Sequence, residues 1–200
     1  MQVEIEAKFL NQNHDVIREL LRQIGANRIY PKMTMRRTVL DYSDRRLQKK
    51  GAWVRLREEL DGSIELMVKQ VANDSLGQTF EQPITVSDYQ AAKQFLLSLG
   101  LKVKGEQESK REVWEYKGIE IMLDEWPWVQ PFIEIEAKTE AEVKDFAKLL
   151  GLNWSDAKFG GVTPVYLEEY TLTKEAFESL ELSMKFDSPV PKVLAKYKKH

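Results

Sequence analysis

Val3-Glu4-Ile5-Glu6-Ala7-Lys8 recurs almost letter for letter as Ile133-Glu134-Ile135-Glu136-Ala137-Lys138. In each copy apolar and charged residues alternate with period two, the pattern of a strand with one apolar and one charged face. Each copy also leads into a helical pattern that ends in Gly. Val16, Ile17, Leu20, Leu21 and Ile24 precede Gly25, and residues 140–150 precede Gly151. The repeating unit is strand plus helix, which predicts two related halves facing each other in one fold.

Outward from the repeat, strands are predicted over residues 34–42, 52–60, 64–70, 79–86, 109–116 and 119–124. Asp61-Gly62 is a hairpin signal that folds 52–60 against 64–70, and Lys117-Gly118 marks another tight turn. A further helix is capped at Ser87 or Asp88 and closed at Gly100, and Thr163-Pro164 opens one more. From Lys185 onward, prolines and lysine clusters read as a weakly structured tail.

A charged strand face is most simply the solvated side of a half-buried sheet. Against that stand the duplication and the shared parity of charges on other strands, Arg55 with Arg57 and Glu65 with Lys69. An antiparallel β-rich chain with such strands can close into a barrel with its charges inside. Acids and bases crowded into a barrel are costly unless they pair or hold something ionic. A polyanion with its cation meets that need. Carboxylates suit Mg²⁺ or Mn²⁺, which prefer hard oxygen ligands, and Arg and Lys suit phosphate oxygens.

Composition narrows the chemistry further. The 200 residues contain no Cys, and the only histidines are His14 and His200. A disulfide framework, a thiolate zinc site, a Cys nucleophile and a His-based triad are therefore not expected, and any metal must sit on carboxylates. Thirty basic against thirty-two acidic residues leave a formal net charge of −2, too balanced for a general nucleic-acid binder. No stretch approaches the roughly 18 apolar residues of a membrane span, and the first residues lack an apolar signal core. The expectation is a cytoplasmic protein with a small-molecule partner and neither a nucleic acid nor a membrane; a homodimer is left open.

With these residues in place, Glu4-x-Glu6-x-Lys8 resembles the amino-terminal signature of the CYTH, or triphosphate tunnel metalloenzyme, superfamily. The likeness continues through residues 41–47 and 51–57, Lys69, Glu81, Arg111, Leu123-Asp124 and Glu134-x-Glu136. It covers about residues 1–170, leaving 171–200 as a helical extension and tail. The resemblance implies an α+β fold, an eight-stranded antiparallel β-barrel (a tunnel) with flanking helices.

By position, Glu4, Glu6, Asp124, Glu134 and Glu136 resemble the family's metal-binding acids. Lys8, Arg55, Arg57, Lys69 and Arg111 resemble its triphosphate-binding bases, with Lys8, Arg57 and Glu6 as the catalytic group. The activity implied is metal-dependent hydrolysis of an inorganic, nucleoside or thiamine triphosphate. Cyclisation of ATP, as in the class IV adenylate cyclases, and a non-catalytic polyphosphate- or nucleotide-binding module are the alternatives. Three positions depart from the pattern. Residues 78–81 lack an additional Arg, Ser109 stands where the cyclases carry Lys, and Trp126-Pro127-Trp128-Val129-Gln130-Pro131 replaces a Leu-Gly turn. Those aromatics are expected to pack on flanking helices, cap the tunnel, or stack on a base or thiazole ring.

Overall fold

The computed structural model describes residues 2–71 and 79–199, with side chains from Ile5 onward. Gln78 lies outside the described residues. In chain order the strands are β1 (Gln2–Glu4), β2 (Glu6–Phe9), β3 (Asn27–Tyr42), β4 (Ala52–Glu58), β5 (Ile64–Val71), β6 (Thr79–Val86), β7 (Leu101–Tyr116), β8 (Ile119–Glu125) and β9 (Phe132–Glu136). The helices are α1 (His14–Gln23), α2 (Tyr89–Ser98), α3 (Glu140–Leu149), α4 (Thr163–Glu169), α5 (Lys174–Ser179) and α6 (Lys192–Ala195).

All nine strands belong to one sheet, ordered β1-β6-β5-β4-β3-β7-β8-β9-β2, with every neighbour antiparallel. Although β1 and β2 stand at opposite ends of that order, only Ile5 separates them. One segment thus pairs through Val3 with Phe80 of β6 and through Lys8 with Glu134 of β9. The sheet curls so that this segment meets both of its edges, giving an eight-stranded antiparallel barrel when β1 and β2 of the nine count as one. The two copies of the repeat lie side by side, Glu6 opposite Glu136.

The period-two pattern explains which face is which. Ala7, Phe9, Ile121, Leu123, Ile133 and Ile135 point outward and are buried beneath Ile17 and Leu21 of α1 and Val143, Phe146 and Ala147 of α3. Full burial of one such aliphatic side chain contributes about 1.5–3 kcal/mol. The apolar parity is therefore the core, and the charged parity is forced inward. Asn13 caps α1 and Thr139 caps α3 through side-chain oxygens. On the far side Leu96 of α2 packs on Leu40, Val54 and Leu101.

β3 and β7 run 16 residues each and pair along their length, well beyond the predicted 34–42 and 109–116. Pairing with the neighbouring strand stabilises stretches whose own composition, with Pro31 or with Gly105 among charges, gives no strand signal.

The chain after the barrel is also ordered, contrary to the reading of a weakly structured tail. Val165, Tyr166, Tyr170, Phe177, Leu182, Met184 and Leu194 form a second core with Trp126 and Phe132. Met184 N–H donates to Glu106 O and Glu108 N–H to Met184 O, both at 2.8 Å. A Cβ at position 105 would stand 2.7 Å from Leu182 O, so Gly105 is what lets this segment press against β7. The apolar residues that tie the tail down are too widely spaced among Lys and Pro to show any periodicity. No helix among the described residues is long and apolar enough to cross a membrane.

Candidate active site

A cavity of about 810 Å³ runs through the barrel. Its acids and bases sit on facing walls. β2 and β9 contribute Glu6, Lys8, Glu134 and Glu136; β3, β4 and β5 contribute Arg37, Arg55, Arg57 and Lys69; β6 adds Glu81, and β7 adds Arg111. Asp124 of β8 lies behind Arg111 and is fully buried. Alternation along each strand and antiparallel register bring these together: Arg37 is opposite Arg57, Lys69 opposite Glu81, and Arg111 opposite Asp124.

On the acidic wall, Lys8 Nζ lies 2.6 Å from Glu6 Oε1 and 3.2 Å from Glu134 Oε1. Arg111 Nη2 donates to Glu134 Oε2 at 2.7 Å, and its Nε and Nη2 grip both oxygens of Asp124 at 2.7 and 2.5 Å. The result is a continuous line Glu6-Lys8-Glu134-Arg111-Asp124. Burial acts to raise Glu134, but Lys8, Arg111 and Lys69 hold it down at about 2. Burial acts to lower Arg111, yet Asp124 and Glu134 carry it well above the ordinary guanidinium value. The same burial pushes Asp124 up, against the pull of Arg111.

A consequence can be measured. Because Glu134 is depressed from 4.5 to about 2, its stabilisation is present above pH 4.5 and drains away as pH falls towards 2. Between pH 7 and pH 3, urea unfolding of the wild type is expected to lose about 2 kcal/mol more than that of Glu134→Gln, at 1.36 kcal/mol per pKa unit. Equal acid sensitivity of the two proteins would contradict the coupling.

The basic wall is less balanced. Arg55 and Arg57 share Glu65 Oε1 at 3.0 and 3.3 Å, Arg57 also pairs with Glu59, and Lys69 Nζ lies 2.8 Å from Glu81. Arg37 has no carboxylate partner among the described residues. It donates to Ser109 Oγ, its guanidinium lies 4.5 Å from the Trp126 ring centroid, and its Nε is buried without a hydrogen-bond partner, as is Arg55 Nε. Burial lowers Arg37 well below the usual guanidinium value, and Arg57, Arg55 and Arg111 lower it further. Asp124 offsets this only in part, and a buried cation repelled by three others, with donor valence unmet, calls for an anion.

The structure thus brings Glu6, Lys8, Arg55, Arg57, Lys69, Arg111, Asp124, Glu134 and Glu136 into one barrel interior. Glu4 is placed by its backbone on β1, paired with Thr79, while its side chain lies outside the described residues. Arg37 was not singled out in the sequence. The available signal was its parity with Met35, Val39 and Asp41, all of which face the cavity. Asp41, within the stretch that resembles the superfamily, closes a turn: its carboxylate accepts from Leu47 N–H and Gln48 N–H at 3.1 and 2.9 Å.

Whether these residues fit a divalent cation turns on the acids. Among the described residues no three carboxylates or histidines converge as they stand, and both Asp124 oxygens are engaged by Arg111. Yet the Lys8 ammonium already lies between two carboxylates from adjacent strands, and every donor there is a hard oxygen. Glu6, Glu134 and Glu136 therefore fit Mg²⁺ or Mn²⁺ in donor type.

Residues 2–153 match the family model of the CYTH domain. The chain belongs to the CYTH domain family. Solved structures share the fold of this CYTH domain at low identity. An adenylate cyclase candidate from Vibrio parahaemolyticus is 19% identical with TM-score 0.72, covering 82% of this chain and 97% of its own. The PH1012 protein of Pyrococcus horikoshii is 21% identical with TM-score 0.66, covering 77% and 93%. An adenylyl cyclase candidate from Hippeastrum, described as having a dominant triphosphatase activity, is 18% identical with TM-score 0.61, covering 79% and 91%. No curated protein sequence matches this CYTH domain.

Proposed function

We propose that this CYTH domain is a divalent-metal-dependent phosphohydrolase acting on a triphosphate bound inside the barrel. The observation that carries this reading is Arg37, a buried guanidinium with no carboxylate partner among the described residues, beside Arg55 and Arg57, with Arg37 Nε and Arg55 Nε both unmet as donors. Guanidinium forks aimed at one space match the oxygens of a phosphate chain.

Glu6, Glu134 and Glu136 would hold Mg²⁺ or Mn²⁺, which when bound neutralises phosphate charge and polarises a phosphoryl oxygen. Arg37, Arg55, Arg57, Lys69 and Arg111 bind the chain and stabilise charge as it develops. Lys8 fixes Glu6 and Glu134 and orients the attacking water. Water oxygen bonds to the terminal phosphorus, and the bridging P–O bond breaks. Its electron pair leaves with the diphosphate, and the water's proton passes to Glu6. Retention of the acids beside the bases favours an enzyme over a pure anion-binding module, which gains little from inward carboxylates.

The names of the Vibrio and Hippeastrum relatives support ATP cyclisation as the runner-up. Against it, Ser109 stands where a cyclase Lys is expected and receives Arg37. Incubation with tripolyphosphate, ATP and thiamine triphosphate plus Mg²⁺ or Mn²⁺, followed by phosphorus NMR, separates the readings. Hydrolysis is expected to give orthophosphate and a diphosphate; a cyclic nucleotide with pyrophosphate would establish the cyclase instead. Glu6→Gln and Glu134→Gln are expected to weaken Mn²⁺ binding in calorimetry as well as turnover. Undiminished activity in EDTA would end the metal-dependent reading.

A further inference from the structure

Helices cover much of the outside of the barrel, but they leave one stretch of it bare. α1 and α3 pack on the outer side of β2, β8 and β9, and α2 packs on β4 and β7. Among the described residues no helix is laid along β5 and β6. Lys69 and Glu81 line the cavity, so on these two strands the odd-numbered residues face inward and the even-numbered residues 64–70 and 80–86 face outward. None of those eight outward residues is charged, in a chain of which 31% is charged. Leu66 stands opposite Ile84 and Val68 opposite Gln82. Val68 is 41% exposed and Ile84 55%.

The apolar surface continues onto α2. Leu66 packs against the cluster of Leu40, Val54, Leu96 and Leu101, which sets α2 beside β5. Lys93, the only charged residue of α2, reaches the other way, to Glu106 of β7 at 2.5 Å. Phe95 and Leu99 lie about 120–160° round the helix from Lys93, on the flank turned toward β5. They are 61% and 56% exposed. The patch is therefore a step beside a shelf: a helix flank with Phe95 and Leu99 rises next to a sheet face with Val68 and Ile84. These four side chains hold about 400 Å² of apolar surface in water, a size at which patches on soluble proteins are often functional.

We propose that this patch is the interface of a twofold homodimer, in which the step of each copy sits on the shelf of the other. A step beside a shelf is complementary to itself across a twofold axis, since each copy offers both parts. An interface of standard size takes about 800 Å² from each partner, of which about 500 Å² is apolar in homodimers. Half-buried Ile64, Leu66, Phe80 and Val86 around the four exposed residues make up the remainder. Charge points to the same occupant. A neutral face meets its own copy without like-charge repulsion, an acidic or basic partner gains nothing from it, and a membrane surface calls for Lys or Arg that this patch lacks. The patch lies outside the strands whose inner faces carry Arg55, Arg57 and Lys69, so both mouths of the barrel stay open in the dimer.

Sedimentation velocity of the full chain tests this, with Phe95→Lys, Ile84→Glu and, as a control on α3, Leu149→Lys. All three positions are exposed, so these variants are chosen to fold, and melting curves verify it. The wild type and Leu149→Lys are expected to sediment as dimers at micromolar concentration. Phe95→Lys and Ile84→Glu are each expected to raise the dissociation constant about 100-fold or more, as for residues central to an interface. An equimolar mixture of those two is expected to regain dimer, because a step and a shelf of opposite charge then meet. A folded wild type that stays monomeric at about 100 µM, above the micromolar limit for interfaces of this size, would overturn the proposal. Binding of that monomer to anionic lipid vesicles, or dimers that survive both Phe95→Lys and Ile84→Glu, would overturn it equally.

Discussion

Arg111→Ala is expected to lose about 3–5 kcal/mol of folding stability, the cost of leaving buried charge uncompensated. Arg111 is the only described partner of the fully buried Asp124, and it also holds Glu134. Removing it strands the Asp124 carboxylate, which faces no water, and leaves Glu134 with Lys8 alone of the two bases that the structure sets against it. Equilibrium urea denaturation measures the effect directly. A loss within about 0.5 kcal/mol, the range of an ordinary surface change, would mean that the network does not hold the barrel wall.

Arg37→Met is expected to behave in the opposite way. Arg37 has no acid to abandon, and it is repelled by Arg55, Arg57 and Arg111. An unbranched apolar side chain keeps contact with the Trp126 ring and relieves that repulsion, so the melting temperature without ligand is expected to rise. Transition-state stabilisation is expected to fall by about 2–4 kcal/mol in kcat/KM, as for removal of a donor to developing charge. Stabilisation of the protein by added tripolyphosphate is expected to shrink in parallel. A variant with unchanged kcat/KM, or one that melts lower than the wild type, would show that Arg37 serves the fold and not the anion. Together the two substitutions sort the arginines of one cavity into those that hold the wall and those that wait for substrate.

Much of this arrangement was legible in the sequence because strand parity is a strict code. Glu6, Lys8, Arg55, Arg57, Lys69 and Glu134 all fall on the charged parity of their strands, and the duplication placed the two Glu-x-Glu strands in one unit. Arg37 was not legible, because Arg36 beside it is also charged and the strand reads as mixed; the structure puts Arg36 at 72% exposure and Arg37 at 7%. The C-terminal wall was hidden for another reason. Leu182, Met184 and Leu194 are buried by the open end of the barrel and not by one another's spacing. Tertiary packing of this kind leaves no local period to read.

The segment that joins the two edges of the sheet also has a kinetic meaning. Lys8 is synthesised early but bonds to a strand that begins at Phe132, while Val3 waits for Phe80. Pairing across such separations must overcome loop-closure entropy before any contact rewards it. During translation the β3–β6 meander has only neighbouring hairpins to close, and it can assemble while the first strand is still single. The seam is then zipped last, with Lys8 entering between Glu6 and Glu134 at the moment of closure. Until that step the edges of β6 and β9 are unpaired templates for another chain. Newly made protein therefore exposes the β6 edge from its emergence, and the β9 edge from its own, until the seam closes.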